Sequence, residues 1–490
     1  MKTADTETQR LPVFGRLDDI AAGFARSGTL LLHAEPGAGK TTLVPVHLLS
    51  DSRFSEGKIL LLQPRRVAAR ASAERIASLL GEKLGQSVGI RTRIETIISN
   101  TTRLEVVTEG ILTRIIQNDQ SLEGYSAVIF DEFHERNLTG DLSLALAWDC
   151  RRQLRPDLRI MLMSATLPET EIKSVFGDIP LVSVPGRSFP VETFYKAPLR
   201  GERTEQGAAR LTKEALRDTT GDILVFLPGH REIRRTKELL AGVPADILIL
   251  HGNSSPEEQR AALSPSPSGK RRVILSTNVA QTSLTIPGVT VVVDTGLERR
   301  VRFSPRTGMD HWDTAAICRS DADQRRGRAG RTAPGTCYRW WSEAEFREKD
   351  ARPEIAETDL SSLVLECAAW GADPFDLVWL TPPPEPSIRH ARRILEELGF
   401  LENGGVTHDG RRASGLGVHP RLARMIIDAE KPGYQDSAAL IAAVLEDGDF
   451  LRGSDPDLRE RIIHWRGWSA GASSVHDRAL RRIDTEAKRM

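Results

Sequence analysis

The apolar residues of roughly the first two hundred positions fall into short runs separated by longer stretches of mixed character. T-L-L-L-H (29–33), K-I-L-L-L-Q (58–63), L-E-V-V-T (104–108), S-A-V-I-F-D (126–131) and R-I-M-L-M-S (159–164) are such runs. A short run with no polar face suits a strand covered on both sides, as in a parallel sheet flanked by helices. Between two of them, R-V-A-A-R-A-S-A-E-R-I-A-S-L-L (66–80) repeats its apolar residues at helical spacing and predicts a crossover helix. The alternation pauses at Pro198-Leu199-Arg200-Gly201, whose composition suits a linker. It resumes with D-I-L-V-F-L (222–227), D-I-L-I-L-H (246–251), R-V-I-L-S-T (272–277) and V-T-V-V-V-D (289–294). Two successive α/β units are therefore expected, over 1–198 and 199–350. From about Arg352 helical spacing dominates, in 359–370, 388–398 and 438–445, interrupted by Pro382-Pro383-Pro384. These read as helical modules attached to the second α/β unit.

Composition narrows the class. The chain has 490 residues, 40% of them hydrophobic, enough for several buried cores. No apolar run reaches the length of a membrane span, and M-K-T-A-D-T-E-T-Q-R lacks the apolar core of a signal peptide, so no membrane partner and a cytoplasmic location are expected. The 4 cysteines lie far apart with no C-x-x-C, which argues against a disulfide framework or a zinc site. With 67 basic and 67 acidic residues the formal charge is zero, so a nucleic-acid site would be a local groove and not a global field.

Candidate chemistry concentrates at two strand ends. A-E-P-G-A-G-K-T-T (34–42) lies between a strand and a helical pattern. Gly37 and Gly39 would let backbone N–H groups and the following helix N-terminus surround phosphate oxygens, over Ala34, Glu35, Pro36, Gly37, Ala38, Gly39, Lys40, Thr41 and Thr42. Lys40 would reach the outer phosphates and the Thr41 hydroxyl would ligate Mg²⁺. The other strand end is V-I-F-D-E-F-H-E-R (128–136). Two acids and a histidine closing a buried strand suggest a metal, a phosphate or a water to be steered. In a phosphate-loop fold this strand is expected beside the loop, with Asp131 on Mg²⁺ and Glu132 on the attacking water. A helix cap with a first-turn acid is the plain alternative for the pair, and a glycine-rich turn is the alternative for the loop.

Asp131-Glu132-Phe133-His134 resembles the DEAH signature of superfamily 2 helicases, with phenylalanine at the usual alanine position. Companion motifs follow in order. Q-P-R-R-V-A-A-R (63–70) resembles motif Ia, T-E-G (108–110) Ib, S-A-T (164–166) III and L-V-F-L-P-G (224–229) IV. S-T-N-V-A-Q-T-S-L-T-I (276–286) resembles V and Q-R-R-G-R-A-G-R (324–331) VI. W-S-E-A-E-F (341–346), D-L-S-S-L-V-L-E (359–366) and V-H-P-R-L-A-R-M (418–425) are similar to the bacterial HrpB branch.

The resemblance implies two tandem RecA-like domains with ATP and Mg²⁺ between them, then a winged-helix domain (351–418) and a helical ratchet-like domain (419–490) that is short relative to the family. The wing is expected near Gly404–Arg411. Gln324 would face the γ-phosphate side, and Arg328 and Arg331 would act as arginine fingers. His134 would hydrogen-bond across the cleft to the second domain. Arg65, Arg66, Thr108, Gly229, Thr277 and Asn278 would contact the backbone of a single strand, RNA by family habit. A β-hairpin within 297–312, turning at 304–308, would split duplex. Motif V carries Gln281 where the family has glutamate, which removes a negative charge near the coupling loop. The implied function is an ATP-dependent RNA helicase or translocase. A DNA-directed translocase, or a nucleic-acid-binding protein with weakened catalysis, are the alternatives.

Overall fold

A computed structural model describes residues 9–35, 37–93, 95–166, 168–186, 189–252, 254, 256–266, 269–281, 286–304, 309–429, 434–447, 457–471 and 477–489. Pro36, part of motif V (282–285) and the hairpin turn 305–308 lie outside the described residues. The first domain is an eight-stranded sheet. Its strands are β1 (Thr29–Ala34), β2 (Lys58–Leu62), β3 (Val88–Thr92), β4 (Glu95–Ile97), β5 (Leu104–Val107), β6 (Tyr125–Phe130), β7 (Arg159–Ser164) and β8 (Leu181–Val184), in the order β4-β3-β5-β2-β6-β7-β1-β8. Every neighbouring pair is parallel except β3–β4, with Leu61 level with Ile129 and Leu30 with Met161. The continuous apolar runs are explained by helices on both faces. One core holds Ile59, Leu61, Ile129 and Met161, and another holds Leu60, Leu62, Val128 and Phe130.

The second sheet contains β9 (Val191–Tyr195), β10 (Asp222–Phe226), β11 (Asp246–Leu250), β12 (Arg272–Ser276), β13 (Val289–Asp294) and β16 (Gly335–Arg339), in the order β11-β12-β10-β13-β16-β9, all parallel. β14 (Leu297–Ser304) and β15 (Met309–Ala316) form the expected antiparallel hairpin, paired from Leu297–Ala316 to Ser304–Met309.

Three expectations need correction. The boundary at 198/199 falls too late, because β9 already pairs with β16 of the second sheet. Its alternating exposure, half-buried and exposed, marks an edge strand that carries no strong apolar run. The helical region after 350 follows the second domain in sequence but packs on the first. Leu363, Val364, Cys367 and Trp370 of the helix Ser361–Trp370 share one core with Leu112 and Ile116 of Glu109–Asn118 and with Leu146 and Cys150 of Leu138–Gln153. Trp370 Nε1 also donates to Asp149 Oδ2 at 2.9 Å. Finally, the wing is confined to β17 (Leu401–Glu402) and β18 (Gly405–Val406) around Asn403 and Gly404, both at positive φ (51° and 79°). Residues 408–411 open the helix His408–Leu416, which Thr407 caps through its hydroxyl on Gly410 N–H.

Candidate active site and nucleic-acid groove

The phosphate loop leaves β1 and enters the helix Lys40–Ser50. Gly37 and Gly39 both take left-handed φ (85° and 90°), a region that side chains with a Cβ rarely enter. The loop is pinned from outside. Ala38 O accepts from Val13 N at 3.0 Å, and a Cβ on Gly39 would lie 3.0 Å from Leu11 Cδ1. Ala34 ends β1, Glu35 is exposed beyond it, and the Thr42 hydroxyl turns back onto Gly39 O at 3.4 Å.

The acid strand is not the hydrogen-bonded neighbour of β1, because β7 lies between them. Its tip nevertheless meets the loop. Thr41 Oγ1 donates to Asp131 Oδ2 at 2.5 Å, and Gln63 Nε2 donates to the same oxygen at 2.6 Å. Lys40 Nζ pairs with Glu132 at 3.2 Å, both side chains 4% exposed. Glu132 sits at φ 52° and ψ 37°, a setting that costs roughly 1–2 kcal/mol in an L-residue. Asp131 Oδ1 supports that turn by accepting Glu132 N at 2.9 Å. Burial and the neighbouring Glu132 push the Asp131 carboxyl up. Burial would raise Glu132 too, but Lys40, His134 and Arg328 together hold it at about 2.

A hydroxyl and a carboxylate converging beside a buried lysine form a hard-oxygen donor set suited to magnesium next to phosphate. The residues present fit that group.

His134 corrects an expectation. Its Nδ1 lies 3.1 Å from Ser164 Oγ, the serine of S-A-T at the end of β7, so it couples two strand tips of one domain and does not bridge the cleft. The bridge is made by Arg65, whose Nη1 donates to Asn278 O of the second domain at 2.5 Å while its Nε pairs with Glu135 at 3.2 Å. Arg65 is therefore committed to closing the cleft, and its expected role on a nucleic-acid backbone is not what the contacts support.

From the second domain, the helix Arg319–Gly327 brings the arginines of motif VI to the same place. Arg328 is 4% exposed and donates through Nε to Gln281 O at 2.9 Å. Burial pushes Arg328 well below the usual range, Arg331 adds to this, and the negative charge of Glu132 opposes it. Burial brings Arg331 to about 10, again opposed by Glu132. Both guanidinium groups thus feel the negative charge of Glu132. Arginine keeps its proton in proteins, so these poorly solvated cations favour any anion that enters. Gln324 lies half-buried on the same helix.

A groove of about 1210 Å³ runs between the first domain, the hairpin and the helical region. Of the residues expected on a nucleic-acid backbone, Arg66 and Thr108 line it, whereas Gly229, Thr277 and Asn278 do not. Gly229 instead caps the helix His230–Leu239, with Arg299 of the hairpin 3.2 Å from where its Cβ would be. The groove also takes in Arg93 and Arg114, which lie outside every motif, and Ser362 and Trp312, which lie within singled-out stretches (359–366 and 297–312) but were given no role. Trp312 is 68% exposed on β15, opposite Val301. A tryptophan flanked by polar neighbours in M-D-H-W-D was a possible signal, but only the fold shows which space it faces. Gln63, too, was legible only as part of motif Ia and received no role before its contact with Asp131.

Residues 20–175 match the family model described as DEAD/DEAH box helicase, and residues 207–333 match the one described as helicase conserved C-terminal domain. The ATP-dependent RNA helicase HrpB of Escherichia coli (strain K12) is 43% identical over 451 residues, 91% of this chain and 56% of that protein. An ATP-dependent RNA helicase HrpA homolog of Haemophilus influenzae is 36% identical over 453 residues, 89% of this chain and 35% of its own. The chain thus spans about half or less of the curated relatives it matches. A crystal structure of Escherichia coli DEAH/RHA helicase HrpB superposes with a TM-score of 0.89 at 40% identity, covering 98% of this chain and 60% of that one. A second, of E. coli DExH-box NTPase HrpB, gives a TM-score of 0.84 at 40% identity, with 100% and 59% covered. With two RecA-like domains, a phosphate loop and a DEFH strand end in register, the chain carries a DEAD/DEAH box helicase domain followed by a helicase conserved C-terminal domain, and over most of its length it is similar to HrpB.

Proposed function

We propose that this chain is an ATP-driven motor that moves along single-stranded RNA and opens or remodels structured RNA. The observation that carries this reading is the convergence, in one cleft, of Lys40, Thr41, Asp131 and Glu132 from one domain with Arg328 and Arg331 from the other. Lys40 releases Glu132 when phosphate oxygens take its charge. The freed carboxylate, ionised at neutral pH, then orients the attacking water and takes up proton density from it. Thr41 and Asp131 would hold magnesium, which supplies positive charge against the phosphates when bound. Arg328 and Arg331 stabilise charge spreading over the transferred phosphoryl group, a contribution of roughly 10³–10⁵ in rate in comparable systems. Because these arginines belong to the second domain, hydrolysis is linked to closure of the two domains.

RNA as the strand is supported by the likeness to two proteins named as RNA helicases. A backbone-tracking mode is supported by Arg66, Arg93, Arg114 and Arg421, hydroxyl groups and one exposed aromatic ring in the groove, whose lining also includes the carboxylates Glu354, Asp359, Glu366 and Glu446. The test is steady-state ATP hydrolysis with no nucleic acid, with single-stranded RNA and with single-stranded DNA, beside a strand-displacement assay. RNA should stimulate more than DNA. Lys40→Ala should abolish turnover, and Glu132→Gln should retain ATP binding while turnover is lost. Normal hydrolysis by Glu132→Gln would remove the water-orienting role from this residue.

A further inference from the structure

Gln281 stands where the family has an acid, and its surroundings explain why an amide is used here. The side chain is 7% exposed and makes two bonds of opposite polarity. Its Nε2 donates to Asp321 Oδ1 at 2.6 Å, and its Oε1 accepts from Arg325 Nε at 3.0 Å. Its backbone oxygen accepts Arg328 Nε at 2.9 Å. One residue therefore fixes the arginine that enters the nucleotide cleft and is itself held from two sides.

Both of those sides lead to the hairpin. Arg325 also donates to Asp294 Oδ1 at 2.9 Å and to Leu297 O, the first residue of β14, at 3.2 Å. Its guanidinium lies 4.9 Å from the Phe226 ring centroid. Asp321 faces Arg300 of β14 at 3.9 Å and accepts from Cys318 Sγ at 3.0 Å.

We propose that Gln281 is a positioning residue that sets Arg328 and ties it to the root of the hairpin, and that its neutral amide is matched to the carboxylate of Asp321. A carboxylate at 281 has no proton to give Asp321, so an attractive contact becomes two anions side by side in a partly buried space. Arg325 already reaches position 281 through Nε, but its single charge is shared with Asp294 and its other contacts are to Leu297 O and the Phe226 face, so it does not neutralise both carboxylates. The strain is relieved by moving residue 281, and its backbone oxygen carries Arg328 along. The inference rests on the reading above that Arg328 acts on the phosphates.

The experiment is a charge-exchange cycle on the full chain, measuring kcat and KM for ATP with and without single-stranded RNA, and thermal melting for every variant. Gln281→Glu should lower kcat at least about tenfold with KM changed less than about threefold, the pattern of a lost transition-state contact. Asp321→Asn alone should stay within about threefold of wild type, and the double variant Gln281→Glu/Asp321→Asn should return to that range. There the new carboxylate accepts from both Arg325 and the amide at 321. The proposal is overturned by wild-type kcat in Gln281→Glu, or by a double variant that melts normally and is no faster than Gln281→Glu. If Gln281→Glu does not fold, the double variant decides: parity with Asp321→Asn supports the match, and a folded but about tenfold slower enzyme overturns it. Arg328→Ala separates the two levels. Inactivity there with a normal Gln281→Glu sinks only this inference, and full activity there sinks the motor reading with it.

Discussion

Two strand-end acids show how sheets of similar build come to serve different purposes. Asp131 follows β6 in the first domain and Asp294 ends β13 in the second, and both are almost wholly buried, at 3% and 0% exposure. Asp131 is held by neutral donors, the Thr41 hydroxyl and the Gln63 amide. Asp294 is held by the guanidinium of Arg325, with Gly296 N–H at 2.9 Å on the same oxygen. Neutral donors orient a carboxylate and leave its charge to be matched by something that binds. An arginine matches it permanently. Position at the end of a parallel strand offers a site, and the charge of the partners decides whether it stays available.

The strongest way to break this comparison is to remove two arginines of motif VI, Arg325 and Arg328, one at a time. Arg325→Ala leaves Asp294 buried without its cation, which should cost about 3–5 kcal/mol and appear as a large fall in melting temperature. Arg328→Ala removes a costly buried charge that serves the cleft, so melting should hold while kcat drops roughly 10³-fold. Melting like wild type in Arg325→Ala would show that Asp294 is not locked, and the contrast with Asp131 would fail.

Much of this contrast was open to sequence reading, for a physical reason. The phosphate loop and the acid pair are local: Gly37, Gly39, Lys40 and Thr41 act from consecutive positions, and Asp131 and Glu132 end an unmistakable apolar run. Short buried strands were readable because nothing else makes four or five apolar residues in a row so profitable. The edge strands β9 and β4 were not, since both are half exposed and unremarkable in composition for a loop. Neither were the interior β3 and β16, whose V-G-I-R-T and G-T-C-Y-R are not apolar runs, whereas the edge strand β11 was legible from D-I-L-I-L-H. The helical region was recognised as helical, but its docking on the first domain was not. Leu363 and Trp370 show only that a face must be covered, and the cover comes from Leu112 and Leu146, more than two hundred residues earlier. The direction of His134 was misread for a similar cause, because its partner Ser164 is brought near only by the pairing of β6 with β7.

The second domain is more than a locked scaffold, and Trp312 sharpens that point. Its exposed ring faces the groove from β15, whose partner strand β14 is tied at its root to Arg325. Stacking of a base on such a ring is worth about 1–3 kcal/mol. Trp312→Ala should therefore weaken single-stranded RNA binding by roughly 5- to 150-fold, measured by fluorescence anisotropy. ATP hydrolysis without RNA should be unchanged, since no cleft residue touches this ring among the described contacts. Equal loss of both would mean that hairpin and cleft are one structural unit and that the division drawn here is too sharp.

A half-buried acid at the edge of the groove supplies the mildest test, because like Asp131 it is held by neutral donors. Glu366 accepts from Ser414 Oγ at 3.0 Å and from Gln117 Nε2 at 2.9 Å, so it stitches the helical region to the first domain. Burial pushes its carboxyl up to about 7 from an ordinary 4.5, against the opposing pull of Ser414, Arg114 and Gln117. The folded state thus holds a proton that the unfolded chain releases earlier. Its contribution to stability is complete below pH 4.5 and is lost as pH rises to about 7. Glu366→Gln keeps the hydrogen-bonding shape and removes the titration. The melting temperature of wild type relative to Glu366→Gln should fall by a few degrees between pH 5 and pH 8, with most of the change complete near neutrality. A flat difference across that range would mean that the carboxyl is solvated as an ordinary acid and that the joint between the two regions is open to water.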